Sequence, residues 1–284
     1  MNICLIMDNP ETSKHPVISL ALRHLAATHT VRLLDVRTLT ETEAIDLERT
    51  HAQADLYLLK SHASQALDLA HFLEQHGAVL LNSWAASLAC QDRVLMAQRL
   101  RDAKLPSPQT WHFTTLTQLA TDHHKLTSLP FPCIVKSQYS HRGDLVAKID
   151  TNIQLQALAQ TWGQEPVVIQ AFIAGDSWDT KIWVIGEQVF AARRRTPLEA
   201  NASKEDVTIA SHDIPKQWSD MVQAIGRAFD LRLYGVDLLL TEHGPMIVDI
   251  NSFPGFRGVP NADTALVTLI EDEITKLKSA KQEI

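Results

Sequence analysis

Short apolar runs and amphipathic stretches take turns along the first part of the chain. Runs at 3–7, 31–36, 56–59 and 78–81 are continuously apolar, while 17–27, 41–51 and 64–76 place apolar residues at helical spacing between them. That alternation predicts strands buried on both faces of a parallel sheet, with helices as the covering layers.

The pattern then changes. A long helical stretch, 83–105, is interrupted near Asp92 and closed by Pro106-Ser107-Pro108, because neither proline can continue a helix. Strands are predicted at 131–136 and 144–149 around a polar loop, 137–143, followed by a helix at 152–161 and a strand at 167–173. A hairpin, 181–185 and 188–193, turns at Gly186-Glu187. Residues 196–213 lack periodicity and are rich in small polar side chains, which predicts a mobile loop. A helix at 214–229, a second hairpin (233–240 and 246–250) and a closing helix at 262–278 complete the chain.

Composition narrows the class. At 284 residues the chain can bury more than one core, and 45% hydrophobic with 21% charged residues is ordinary for a globular protein. A formal net charge of −7 without blocks of one sign argues against general nucleic-acid binding. Cys4, Cys90 and Cys133 form no paired motif, so neither a disulfide framework nor a zinc site is signalled. No apolar run reaches the ~20 residues of a membrane span. The opening Asn2-Ile3-Cys4-Leu5-Ile6-Met7 reads as a first strand without targeting features, so a cytoplasmic location is expected.

The sharpest chemistry sits in the second hairpin. Asp237 and Asp249 each interrupt an apolar run, and Asn251 follows Asp249 by two residues. A buried carboxylate is costly unless it is paired or bound to a metal. Positions two apart on a strand share a face, and pairing across the hairpin brings Asp237 to that face. Two carboxylates and an amide oxygen are hard donors suited to Mg²⁺, which needs few protein ligands when phosphates supply the rest. The next run, Ser252-Phe253-Pro254-Gly255-Phe256-Arg257-Gly258, has glycines where backbone can approach an anion closely.

These residues resemble a known family. Leu233-Tyr234-Gly235-Val236-Asp237, Val248-Asp249-Ile250-Asn251 and Pro254-Gly255 are similar to the signature of ATP-grasp enzymes, over 92–260 and only faintly over 1–90. The likeness is greatest to RimK-type carboxylate-amine ligases and to inositol 1,3,4-trisphosphate 5/6-kinases. It implies an α/β ATP-grasp fold: an N-terminal parallel unit, 1–91, before two α+β lobes, 92–173 and 174–284, that enclose the nucleotide. It further implies Mg²⁺ (or Mn²⁺) on Asp237, Asp249 and Asn251, and ATP phosphates on Lys136 and Arg93. Gln170, Ala171, Phe172 and Ile173 would form the adenine hinge, with Asp179 or its rival Asp176 on the ribose. Many members carry an acid at the Ala171 position, so backbone groups are expected to read the base there.

Two departures separate the branches. The loop 137–143 has a single glycine, and its Ser140-His141 is similar to the kinase branch. The Arg-x-Asn and Gly-Gly that RimK-type ligases carry in the stretch matching 197–211 are missing. Lys60, Lys181, Arg194, Arg195, His141 and Arg257, with Gly255, outline a basic pocket in an acidic protein, which implies a small anionic acceptor. Lys181, Arg194, Arg195 and His141 are expected to act on the transferring group; Lys60, Gly255 and Arg257 are expected to hold the acceptor. A carboxylate acceptor makes the chain a ligase working through an acyl phosphate. A phosphorylated polyol makes it a kinase, and absence of turnover would leave a nucleotide-binding regulator.

Overall fold

The structure, a computed structural model, describes residues 1–39, 54–141, 143–176, 178–195 and 206–282. The helix expected at 41–51 and Arg142 lie outside the described residues.

Four parallel strands open the chain: β1 (Asn2–Met7), β2 (Thr30–Asp35), β3 (Leu56–Lys60) and β4 (Leu80–Leu81), in the order β2-β1-β3-β4. Their continuous apolar character has the expected cause. Ile3, Leu5, Leu56 and Leu58 pack with Ile18, Ala21 and Leu25 of the helix Pro16–Leu25. Cys4, Ile6, Tyr57 and Leu59 pack on the other face with Ala66, Ala70 and Leu73 of the helix Ser64–Gln75.

Asp92 breaks the next helical stretch as expected. It ends Trp84–Gln91 and caps Arg93–Asp102, its carboxylate accepting from Val94 N at 2.8 Å and from Leu95 N at 3.4 Å. A second sheet follows, built from β5 (Thr110–Phe113), β6 (Cys133–Ser137), β7 (Val146–Ile149) and β8 (Val167–Ala171), antiparallel in the order β5-β8-β6-β7. Two sequence expectations change here. The strand expected to run to 173 ends at Ala171, and β5, with the short helices Leu116–Thr121 and His123–Ser128, carries too little periodicity to be read in advance. One face of this sheet is a core: Cys133, Val135, Val167 and Ile169 pack against Leu116, Leu119 and Leu155.

The third sheet comprises β9 (Trp178–Ile185), β10 (Gln188–Arg195), β11 (Asp206–Ile209), β12 (Leu233–Thr241) and β13 (Gly244–Asn251), in the order β11-β10-β9-β12-β13. The loop expected over 196–213 is corrected in part. Asp206–Ile209 is a strand whose residues pair with Ala191–Arg194 of β10, and Ser211–Asp213 is a 3₁₀ turn. Backbone pairing with an existing edge ordered a segment that has no apolar face of its own, while 196–205 lie outside the described residues. Beneath the sheet Ile182, Val184, Val236 and Leu238 pack on Trp218, Val222 and Ile225 of the helix Lys216–Phe229, and on Ala86 and Cys90. On its other side Trp183, Ile185 and Leu233 join the core of the first sheet through Leu266, Leu269 and Ile270 of the helix Ala262–Gln282.

Candidate functional site

Register places the acidic residues together. In the β12–β13 pair Asp237 lies opposite Asp249 and Gly235 opposite Asn251, and in β9–β12 Asp237 lies opposite Lys181. Directly paired residues of antiparallel strands share a face. Lys181, Asp237, Asp249 and Asn251 therefore stand on one face, with Asp179 two residues before Lys181. Lys181 Nζ lies 2.9 Å and 3.2 Å from the two Asp237 carboxylate oxygens. The Asn251 side-chain oxygen accepts from Phe253 N at 3.0 Å, fixing the start of the turn that leaves the strand.

Gly235 keeps this face open. A Cβ there would stand 3.0 Å from Cβ and 3.3 Å from Cγ of Pro254, so the strand carries no side chain where the turn folds back. Phe253 and Phe256 are buried beneath that turn, and Gly255 O accepts from Trp183 Nε1 at 2.8 Å.

The opposing wall comes from the second sheet. Lys136 pairs with Val168 and Val146 on the face away from the Cys133–Val135–Ile169 core. Between the Asp237–Asp249 and Leu238–Ile247 pairs Val248 has no register partner, a bulge, and its carbonyl accepts from Lys136 Nζ at 3.0 Å. Burial holds the Lys136 ammonium below its usual pKa, and Asp249 works in the other direction. Arg93, 4% exposed, bonds Ser137 O at 2.8 Å, pairs with Asp144 at 2.8 Å and reaches Asp249 at 3.9 Å. Two buried cations, Lys136 of the second sheet and Arg93 at the start of the helix Arg93–Asp102, thus face the carboxylates of the third sheet.

Gln170 shares the Lys136 face, whereas Ala171 pairs with Cys133 on the core-side register. Beyond the strand Phe172 N donates to Pro132 O at 3.3 Å, and Lys148 Nζ sits 4.6 Å from the Phe172 ring centroid; Ile173 follows, half-buried. Asp176 pairs with Arg193, and Asp179 lies two residues before Lys181 on the same strand face.

The basic pocket is assembled only in part. Lys60 Nζ donates to Phe253 O and lies 5.5 Å from that ring. Burial pushes its pKa down to about 8; Asp8 opposes that shift and Lys181 adds to it, so Lys60 and Lys181 are electrostatic neighbours. Arg194 bonds Arg257 O at 2.9 Å and stacks 5.4 Å from the Trp183 ring centroid. Of Arg195 the backbone pairing with Trp178 is described. His141 is exposed, while its neighbour Ser140 presents a carbonyl 3.2 Å from His62 Nδ1.

Sequence reading missed Asp8 and Asn82, and gave His62 no role beyond its place after Lys60. His62 N donates to Asp8 at 3.3 Å, and both follow carboxyl ends of parallel strands, the one signal that marked them. Asn82 is buried and bonds Leu233 O at 2.6 Å, Arg232 N at 2.9 Å and Leu233 N at 3.2 Å, and also Ser252 O.

The donor set can be tested against a metal on its own chemistry. Among the described residues no group of three or more His, Cys, Asp or Glu could form an all-protein cage. Two carboxylates and an amide oxygen fit an ion that keeps water or phosphate in its remaining positions. Among the described residues no helix is long and apolar enough to cross a membrane.

Comparisons with known proteins agree with this fold. A probable alpha-L-glutamate ligase 2 of Shewanella sp. is 29% identical over 126 residues, covering 41% of this chain and 42% of that protein. A probable alpha-L-glutamate ligase of Legionella pneumophila is 26% identical over 199 residues, covering 67% of this chain and 64% of that protein. The chain thus matches less than two thirds of the length of these relatives. A solved RimK domain ATP-grasp protein from Sphaerobacter thermophilus superposes with a TM-score of 0.73 at 18% identity, over 95% of this chain and 98% of that one, so the fold is shared. The RimK-like ATP-grasp domain matches residues 90–272, the stretch that holds both cation-bearing and carboxylate-bearing walls, and the chain belongs to that family.

Proposed function

We propose that the protein is an ATP-dependent carboxylate-amine ligase. The observation that carries this reading is the facing of Lys136, from the strand Cys133–Ser137, and Arg93, from the start of the helix Arg93–Asp102, onto the Asp237, Asp249 and Asn251 face of the third sheet. Phosphoryl transfer asks a protein mainly for positioning and for charge at the phosphate oxygens. Asp237, Asp249 and Asn251 would hold Mg²⁺, and Mn²⁺ suits the same donors. Bound Mg²⁺-ATP supplies the phosphoryl group that turns a carboxylate into an acyl phosphate, with release of ADP.

The remaining roles fall to this chain's own residues. Lys136 would exchange its bond to Val248 O for a phosphate oxygen, since a carbonyl is a weaker partner for an ammonium than an anion. Arg93, tied to Ser137 O and Asp144, keeps a fixed guanidinium beside it. The hinge, Gln170 to Ile173, would receive adenine, and Asp179 the ribose. Lys181, opposite Asp237, would meet the charge that develops on the transferring group. Lys60, Arg194 and Arg257 would hold the anionic acceptor near Gly255, and exclusion of water there protects the acyl phosphate until the amine attacks. The relatives named as glutamate ligases favour this reading over the kinase, whose support is Ser140-His141, the Phe253-Pro254-Gly255 run and the missing Arg-x-Asn and Gly-Gly.

The test is an acceptor screen with hydroxylamine in place of the amine. A hydroxamate, formed with stoichiometric ADP, is the expected product. Asp249→Asn should lower that yield by more than about a hundredfold, beyond the 10–100-fold typical of residues that only support a metal ligand. ADP formed at the same rate without any acceptor, or a variant as active as the parent, would overturn the assignment.

A further inference from the structure

The polar bonds at the edge of the hinge run in one direction. Thr110 and Gln170 are register partners in β5 and β8. Thr110 Oγ1 lies 3.0 Å from Pro108 O, and Gln170 Nε2 lies 3.3 Å from Thr110 Oγ1. A carbonyl has no hydrogen to give, so the threonine proton belongs to Pro108 O. A hydroxyl has one proton, so Thr110 can only accept from Gln170. The contact with Gln170 therefore uses an amide N–H, and Gln170 Oε1 is turned away from Thr110. Among the described residues Oε1 has no partner of its own.

Gln170 is the hinge side chain on the Lys136 face, and Ala171 supplies no polar group there. We propose that Thr110 is a positioning residue which, through Pro108 O, fixes the Gln170 amide so that an acceptor oxygen faces the nucleobase, selecting a 6-amino purine over a 6-oxo purine. A glutamine on its own is ambiguous, since a flip exchanges donor and acceptor. Locked by Thr110, it accepts from an exocyclic amine and meets a carbonyl oxygen with like charge. The backbone of the hinge fixes where the base lies, and the Thr110 relay fixes which edge is tolerated. This rests on the proposed nucleotide site, and the experiment separates the two.

Binding of Mg²⁺-ADP and Mg²⁺-IDP, which differ at the purine 6-position and its neighbouring ring nitrogen, is measured by titration calorimetry. The parent protein should prefer ADP by roughly tenfold, the scale of one net hydrogen bond. Thr110→Val keeps the shape and removes the hydroxyl; the preference should collapse toward unity, mostly by tighter IDP binding as the amide flips. Thr110→Ser should restore it. Gln170→Glu, an acceptor on both oxygens, should keep the ADP preference even when combined with Thr110→Val. Equal weakening of both nucleotides by Thr110→Val, or an unchanged ratio, would overturn the relay while leaving the nucleotide site intact. Failure of the parent to bind either nucleotide would overturn the site and the relay together.

Discussion

Lys60 shows how one residue carries both a cost and a use. Its ammonium is taken out of water between Phe253, Asp8 and Lys181, and burial lowers its pKa from 10.5 to about 8. The folded protein releases this proton more readily than the unfolded chain does. The linked gain in stability is complete above 10.5 and is lost as pH falls through about 8. Acceptor binding follows the opposite sense, because the cation exists below that pKa. His15 and His62, both held below their usual pKa by burial and by Lys60, are neutral over the same alkaline range. The acceptor KM should therefore rise between pH 7 and pH 9. Lys60→Arg, whose guanidinium stays charged, should remove the slope. A slope that persists in the arginine variant would assign it to another group.

At the scale of elements the decisive feature is the bulge in β13. It leaves Val248 out of the register and gives Lys136 its carbonyl as a partner from the neighbouring sheet. A buried ammonium without an acceptor would be costly, so the bulge carbonyl offsets the burial of the Lys136 ammonium, the group proposed to reach phosphate. Lys136→Ala should leave the melting temperature without ligand close to the parent, because it removes an ammonium and its desolvation together. It should abolish most of the stabilisation by nucleotide, which for a single site at a hundredfold excess over Kd is about 2.7 kcal/mol. Thermal melts with and without Mg²⁺-ATP measure both. A full nucleotide shift in the variant would remove Lys136 from the phosphate site.

Over the whole molecule the sheets are locked together by polar anchors as much as by apolar packing. Asn82, leaving the first sheet, uses its amide on Leu233 O, Ser252 O, Arg232 N and Leu233 N, so it ties the N-terminal unit to the strand and turn that frame the carboxylates. Asn82→Ala strands these buried backbone groups and should cost about 1–3 kcal/mol for each left unsatisfied. It should also lower turnover, since Ser252 begins the turn after Asn251. Chemical denaturation gives the first quantity and a steady-state assay the second. A loss of stability with unchanged turnover would show that the anchor holds the fold and not the site.

Much of this was legible in the chain. Apolar runs against helical spacing determined the parallel unit, and acidic residues inside apolar strands determined that Asp237, Asp249 and Asn251 belong together, because a strand has only two faces. Capping by Asp92 set the break in the helical stretch, and Pro106 and Pro108 set its end. Other features were decided by tertiary structure alone. The strand Asp206–Ile209 owes its order to the free edge of β10, and β5 to pairing with β8, neither of which leaves a mark on local periodicity. The partners of Lys136 and Lys60 lie on other elements, 112 and 193 residues away in sequence, and Arg93 reaches Asp249 over a separation of 156. A side chain's residue type states what it can donate. Only the packing of three sheets states to whom.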